Sequence, residues 1–463
     1  MHRRSILRGA GESMSGNPAV TAPKSPLERV LGLFTDVRPG EAGTALLLAL
    51  NVFLLLTTYY IVKPVREALI LAGGGAEVKS YAAAGQAMLL LGVVPAYAAL
   101  ASRMPRRRLI NIVTLFFAAC LAGFYLLAQA GVPYLGVAFF LWVGIFNLMV
   151  IAQFWSFAND VYTPEQGKRL FALVAFGASF GAVAGSWIAE RLVEPLGTEQ
   201  MLLVAAVLLA TTLAVTNVIE ARESHRPRAA ADASARTADE PIPPGGAFQL
   251  VLRNRYLLLI AFLMLFLNWV NTTGEYILSR VVREAAARSV EAGTSGGLDL
   301  GDTIGKFYAG FFFWVNLVGV LAQLFLVSRI LKYLGVRRAL LFLPVIALGG
   351  YCLLAFYPVL GVVRWAKTAE NATDYSLQNT VRNVLFLPTT REQKYKAKQA
   401  IDTFFVRAGD VLSAGLVLLG TTALSFQTSH FAVVNLVLVA VWLAIAVAIG
   451  REHAKLETPR AQS

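Results

Sequence analysis

Stretches of about 20 apolar residues, each long enough to cross a hydrocarbon core, recur along almost the whole of this chain. No other feature limits its fold so severely, because backbone in lipid must satisfy its own hydrogen bonds and here can do so only as helix. Twelve such spans can be drawn, at approximately 41–73, 79–101, 109–130, 133–159, 166–192, 199–221, 248–283, 303–329, 338–358, 360–389, 394–425 and 429–450. Only 15% of the 463 residues are charged and 57% are hydrophobic, whereas about 25% of a soluble domain is charged. The expected fold class is therefore all-α, a polytopic membrane protein seated in a lipid bilayer.

The net charge of +13 could suggest a nucleic-acid partner, but the placement of the basic residues says otherwise. With residues at span ends given to the nearer face, 29 of the 41 Lys and Arg fall at the termini and in the loops after even-numbered spans. Five fall on the opposite side and seven within the spans. Examples are "RMPRRRL" at 103–109 and "REQKYKAK" at 391–398. This asymmetry follows the positive-inside rule and puts both termini in the cytoplasm, as expected for a multi-pass protein of the cell inner membrane with no nucleic-acid role. The first 40 residues hold no apolar stretch of the kind a cleaved signal peptide requires. Cys120 and Cys352 fall in the third and ninth spans, so the expectation is two buried thiols and no disulfide. No metal cluster is visible, and no cofactor is expected.

Residues 223–246, "ESHRPRAAADASARTADEPIPPGG", have no apolar period and read as a disordered linker. The chain then divides into a segment 1–40, six spans over 41–221, a linker 222–247, six spans over 248–450 and a tail 451–463. The halves echo each other. "YTPEQGKRLFALVAFGASFGAVAG" (162–185) and "TTREQKYKAKQAIDTFFVRAGDVLSAG" (389–415) both run Thr, Glu-Gln, Lys/Arg into a small-residue helix. "RMPRRRLI" and "YLGVRRALL" each join the second and third spans of a half. Two echoed six-helix halves resemble the major-facilitator architecture, in which substrate binds near the midplane between them; a monomer is expected. Gly177, Gly181 and Gly185 lie four apart on one face. They let another backbone approach, either as static packing or as a sliding gate.

Charges within spans cost roughly 2.5–3.5 kcal/mol each on insertion scales, so each implies a cavity or a partner. They collect on four spans. The first carries Lys63, Arg66 and Glu67, the fourth ends at Asp160, and the seventh holds Asn268, Asn271 and Glu275. The tenth is the most polar, "KTAENATDYSLQNTVRN" at 367–383. In a major-facilitator arrangement spans one, four, seven and ten line the central cavity. On a wheel, Arg364, Lys367, Asn371, Asp374, Gln378 and Arg382 fall within an arc of about 80°. This stripe suits a wet wall, with Asp374 expected to neutralise Lys367 when the site is empty. Arg66 and Glu67 could alternatively tie helices together, and Asp160, followed by "TPEQGKR", reads as a gate or cap contact.

Cations at Lys63, Arg66, Lys367 and Arg382 favour a small-molecule anion, because Arg forks and Lys point charges partner phosphate and carboxylate. Tyr59, Tyr60, Trp155 and Tyr375 could stack on a base or sugar, or simply pack. "GDTIGKFY" at 301–308 lacks the spacing and the Ser/Thr of a P-loop, so transport would draw on a gradient or on exchange. No nucleophile–base set or HExxH site appears, which argues against an enzyme.

At "YYIVKPVREALIL", "FWSFANDVYTPEQGKRLFALVAFGASFGA" and "LPTTREQKYKAKQAID" the chain resembles the ATP/ADP translocase family of bacteria and plastids. The resemblance implies a twelve-helix, ATP-binding nucleotide antiporter. Its basic residue in the first span falls on Arg66, with Lys63 adjoining, and its second, in the tenth span, on Arg382. The chain departs from the family in three places: the lysine of the tenth span is Arg382 here, the acidic residue expected in the seventh is Asn271, and the fourth has no clear carboxylate before "FWSFAND". The substrate-binding set is then Lys63, Arg66, Arg382, Lys367, Asn271 and Tyr60, with Asp374, Glu275, Asp160 and Asp402 coupling or gating. Three readings stand: exchange of nucleotides or related organic phosphates, a proton- or sodium-coupled permease for another organic anion, and a non-transporting membrane protein.

Overall fold

The computed structural model describes residues 26–31, 35–101, 103–224, 246–390 and 392–457. Every regular element among them is helical: α1 (Pro26–Leu31), α2 (Ala42–Ala101), α3 (Arg106–Gln129), α4 (Leu135–Val161), α5 (Pro164–Leu196), α6 (Met201–Ser224), α7 (Ala247–Arg253), α8 (Arg255–Glu291), α9 (Leu300–Ala322), α10 (Ser328–Phe356), α11 (Leu360–Thr373), α12 (Asn379–Leu385), α13 (Lys398–Ala400), α14 (Val406–Thr422) and α15 (Thr428–Glu457). Four π-helical turns, Gln323–Val327, Asp374–Gln378, Gln393–Ala397 and Ile401–Phe405, link consecutive helices of the second half. The linker expected at 223–246 falls almost wholly outside the described residues.

Among the described residues, nine helices are long and apolar enough to cross a membrane. Two of them are each a pair joined at one glycine. Gly75 in α2 has φ 82° and Gly335 in α10 has φ 71°, a region that costs a Cβ-bearing residue steric strain. At Gly75 the chain turns back, so that α4 meets both arms: Gly136 packs on the Leu69 carbonyl and Gly144 on the Gln86 side chain. The continuous helix 360–385 is too polar to qualify by composition, although it runs through the middle of the second half.

Buried apolar residues gather in two clusters. One is drawn from Val37 to Ile219 with Ala309, and the other lies mostly between Val251 and Ile449. These are the cores of a first bundle (42–224) and a second (247–457). Large apolar side chains such as Phe116, Leu126, Phe325 and Leu419 point outward, as lipid-facing surface must. The same property corrects the expectation for the cysteines: Cys120 is half-buried and Cys352 exposed, because the outer face of such a helix is solvated by lipid and not by protein.

The glycine stripe is packing within the first bundle. A Cβ at Gly177, Gly181 or Gly185 would run into the carbonyl oxygens of Ala49, Phe53 and Thr57, one helical turn apart on α2. Before α2, residues 26–31 and 35–41 fold onto the bundle's end, where Val37 is buried and Glu28 accepts a hydrogen bond from the Gly40 amide at 2.6 Å.

The internal echo has a physical basis. Thr163 caps α5 by accepting from the Gln166 amide at 3.3 Å, and the Gln166 side chain accepts from the Thr163 amide at 3.1 Å. Thr390 and Gln393 repeat the exchange at 3.3 and 3.0 Å. A reciprocal capping box thus opens corresponding helices of both bundles.

Candidate functional site

Helices alternate in direction, so each bundle has a terminal face, near Ala42 and Glu457, and a distal face, near Gly75 and Gly293. The bundles are tied together toward the distal face. Lys306 meets Glu194 at 2.7 Å, and Asp302 accepts from the Thr198 amide at 2.7 Å. Tyr276 donates to Glu77 at 2.9 Å, Arg283 to the Leu71 carbonyl at 2.9 Å, and Lys79 to Ser279 at 2.7 Å. Deeper in, Asn316 donates to Ser186 at 3.0 Å.

On the terminal side of these ties the second bundle holds a cavity of about 380 Å³, within the range of small-molecule sites. Its polar wall is Asn268 and Asn271 from α8, then Asp374, Tyr375, Gln378, Asn379 and Arg382 from the polar helix. The π turn Asp374–Gln378 explains this grouping. A π turn holds more residues per turn than an α turn, so a wheel drawn at 100° per residue loses its phase there. The stripe therefore divides in two. Within and past the turn, Asp374, Gln378 and Arg382 face the cavity; before it, Lys367, Glu370 and Asn371 are buried against α8 and α10.

Lys367 is 1% exposed. It donates to Asn271 Oδ1 at 2.9 Å and pairs with Glu370 at 3.1 Å and Glu275 at 3.6 Å. Glu370 also accepts from Tyr351 at 3.0 Å, and Glu275 from Asn371 at 3.0 Å. The expected pairing of Lys367 with Asp374 is thus replaced by two other carboxylates, because the π turn carries Asp374 to the cavity side. Asp374 makes no ion pair among the described residues. The side chain of Lys367 reaches the cavity only through Asn271.

Arg382 lies across from Asp402, Nε to Oδ1 at 3.9 Å, and neither of these buried atoms has a hydrogen-bond partner among the described residues. Lys398 holds the other Asp402 oxygen at 2.5 Å. Beside this pair, Asp410 accepts from Asn268 at 2.7 Å and from Thr272 at 2.8 Å, fixing one wall.

In the first bundle, Pro64 removes the amide that would have bonded the Tyr60 carbonyl. Lys63 is buried beside it with its ammonium among four rings: Phe312 at 4.0 Å, Tyr60 at 5.3 Å, Tyr375 at 5.8 Å and Tyr59 at 6.0 Å. It has no ion pair among the described residues, and the rings' negative faces substitute for one. Tyr375 belongs to the cavity wall, so Lys63 reaches that wall from the other bundle. Arg66 is held by its neighbour Glu67 and lies 4.8 Å from the Phe140 ring. Glu67 also pairs with Lys79 at 2.6 Å. A polar chain therefore runs from Arg66 through Glu67, Lys79 and Ser279 to the Glu275 carbonyl, which accepts from Ser279 at 2.7 Å.

Of the residues expected at the site, Asn271, Asp374 and Arg382 line the cavity and Asp402 backs it. Lys63 and Tyr60 sit at its inter-bundle edge, and Arg66, Glu275 and Lys367 belong to the networks behind it. Asp160 is exposed near the end of α4 and is not among the residues lining the cavity. Glu370, Lys79, Asp410 and Phe312 were not anticipated. Glu370, three residues after Lys367 on one helix, was legible as its partner; Phe312 carried no signal at all.

The fold and site define a polytopic membrane protein of two helical bundles, the second of which holds an internal polar cavity, the class of secondary transporters. Residues 42–369 match the Major Facilitator Superfamily, and the chain belongs to it. Residues 306–453 match the TLC ATP/ADP transporter family. The chain is 22% identical to an ADP,ATP carrier protein 1 of Chlamydia pneumoniae, over 74% of this chain and 69% of that one. It is 23% identical to those of Chlamydia muridarum and Chlamydia trachomatis, over 66% of this chain and 62% of theirs. Among solved structures it is similar to the nucleoside transporter NupG, with TM-score 0.61, 11% identity, and 88% and 98% of the two chains covered. An autoinhibited POT family peptide transporter gives TM-score 0.60, 12% identity, and coverage of 89% and 97%.

Proposed function

We propose that this protein exchanges nucleotides of the ATP/ADP type, or closely related organic phosphates, across the membrane by alternating access. The observation that carries the reading is Arg382, whose buried Nε has no hydrogen-bond partner among the described residues and sits on the wall of a cavity large enough for a small organic anion. Lys63, without a carboxylate partner among the described residues, supplies a second cation from the other bundle. Arg66 becomes available when Glu67 turns wholly to Lys79. The similarity of residues 306–453 to ATP/ADP transporters and of the chain to ADP,ATP carriers supports the same substrate class.

In this reading the chain crosses the membrane twelve times, counting the two arms at Gly75, the two at Gly335 and the polar helix 360–385. It acts as a monomer in the cell inner membrane with both termini cytoplasmic, the orientation the basic loops favour. The distal ties then close the outer side, and the cavity faces the cytoplasm. A second reading, a proton- or sodium-coupled organic-anion permease, draws on Asp374, a cavity carboxylate without an ion pair among the described residues.

Vesicles loaded with ADP should take up labelled ATP in a saturable manner that requires the internal nucleotide. Absence of exchange with every nucleotide tried, together with no thermal shift on adding them, would falsify the first reading. Uptake that needs a proton gradient and no counter-substrate, and that Asp374→Asn abolishes, would select the second.

A further inference from the structure

The cavity wall contains a second kind of unsatisfied group. Gln378 is 2% exposed and lines the cavity, yet neither Oε1 nor Nε2 has a hydrogen-bond partner among the described residues. A buried primary amide left unbonded at both ends is costly, and the wall beside it supplies what a specific ligand would need. Tyr375, in the same π turn, presents a ring that is 43% exposed. Arg382 follows Gln378 by four residues, about 6 Å along a helix axis. Isolated π turns of this kind occur frequently at functional sites.

We propose that Gln378 and Tyr375 form a subsite for a planar heteroaromatic ring carrying a hydrogen-bond donor and acceptor side by side, with the amide reading that edge and the phenol ring stacking on its face. The proposal rests on the nucleotide-exchange reading and adds that the second bundle recognises the base as well as the phosphates. An amide is itself a fixed donor–acceptor pair. It forms two bonds at once with an amino group next to a ring nitrogen, the pattern by which Gln reads adenine. A stacked ring adds affinity whatever the base. A sugar phosphate or bare polyphosphate can engage Arg382 but offers no ring to Tyr375 and no paired edge to Gln378.

The test is equilibrium binding to the purified full chain of ATP, of purine riboside triphosphate, which lacks the 6-amino group, and of inorganic tripolyphosphate. Wild type should prefer ATP to purine riboside triphosphate by about tenfold or more. Gln378→Met should erase that preference while leaving tripolyphosphate binding within about twofold of wild type. Gln378→Leu, which likewise has neither the acceptor for the 6-amino group nor the donor for the ring nitrogen, should erase it equally, and this second variant decides the matter if the first does not fold. Retention of the wild-type preference in either folded variant overturns the proposal, as does an equal loss of ATP and tripolyphosphate. If wild type binds tripolyphosphate but no nucleotide, or binds none of the three, the nucleotide reading itself falls, an outcome distinct from a failure confined to Gln378.

Discussion

Lys79 and Ser279 belong to different bundles and are joined by a 2.7 Å hydrogen bond at the point where Lys79 also holds Glu67 at 2.6 Å. One ammonium therefore both ties the distal side and offsets the carboxylate that restrains Arg66. Removing one partner of a buried ion pair is strongly destabilising, whereas removing a neutral hydroxyl partner costs about 1 kcal/mol. Lys79→Met should lower the melting temperature, slow exchange at least tenfold and loosen the distal tie. Ser279→Ala should do the last with little of the first. The check is maleimide labelling of Thr198→Cys, a position buried beside the distal contacts, after Cys120 and Cys352 are changed to Ser. Labelling should quicken in both variants, and unchanged labelling would mean that this bond does not hold the distal side.

Arg382 and Asp402 make a loose pair across 3.9 Å, which a phosphate could replace with charge-assisted hydrogen bonds worth roughly 1.5–3 kcal/mol. Arg382→Gln should raise the KM for exchanged nucleotide by about 10- to 100-fold with a smaller effect on stability. Asp402→Asn, which removes the competing acceptor charge, should lower KM. Concentration-dependent exchange in vesicles measures both. An unchanged KM in Arg382→Gln would move the phosphate site out of this cavity.

How much of this was legible in the sequence depends on the range of the interaction. The membrane class follows from runs of apolar residues, because lipid imposes its demand locally, residue by residue. The two-bundle repeat was legible through Thr163/Gln166 and Thr390/Gln393, because a capping box is a four-residue device. The wheel of the polar helix joined residues on either side of Asp374 that the fold separates, because a π turn with no evident sequence signature shifts the phase there. Contacts such as Phe312 over Lys63 or Lys79 on Ser279 depend on how two distant segments dock. Nothing in either segment announces them.

Lys367 separates a binding role from a structural one. Its ammonium is buried between Glu370 and Glu275 and reaches the cavity only through Asn271. Lys367→Met leaves two carboxylates facing each other without their cation. It should destabilise the second bundle by about 3–5 kcal/mol, the usual effect of breaking a buried pair. Lys367→Met combined with Glu370→Gln should recover part of that loss, which a direct substrate contact would not. Melting of the three proteins, with nucleotide affinity measured on whichever remain folded, distinguishes the two. If Lys367→Met weakens nucleotide binding with no change in melting, the lysine is a ligand contact after all.

Glu41, at the terminal face just before α2, supplies a pH-dependent contribution to stability. Burial pushes its carboxyl up, but hydrogen bonds from Arg169, the Arg38 amide and Gln166 outweigh that, and it titrates below its ordinary value of 4.5. The Arg169 bond is 2.9 Å and ties the start of α5 to the start of α2. Because the folded value is depressed, the contribution is fully present above the unfolded value and is lost as pH falls through the folded one. Wild type should therefore lose more melting temperature than Glu41→Gln between pH 6 and about pH 3.5, the two curves drawing together below roughly pH 4.5. At pH 7 Glu41→Gln should be the less stable of the two, since the glutamine keeps the shape of the contact without the charge that strengthens its bonds to Arg169. Parallel melting curves across this range would show that the Glu41 contact contributes no more charged than neutral.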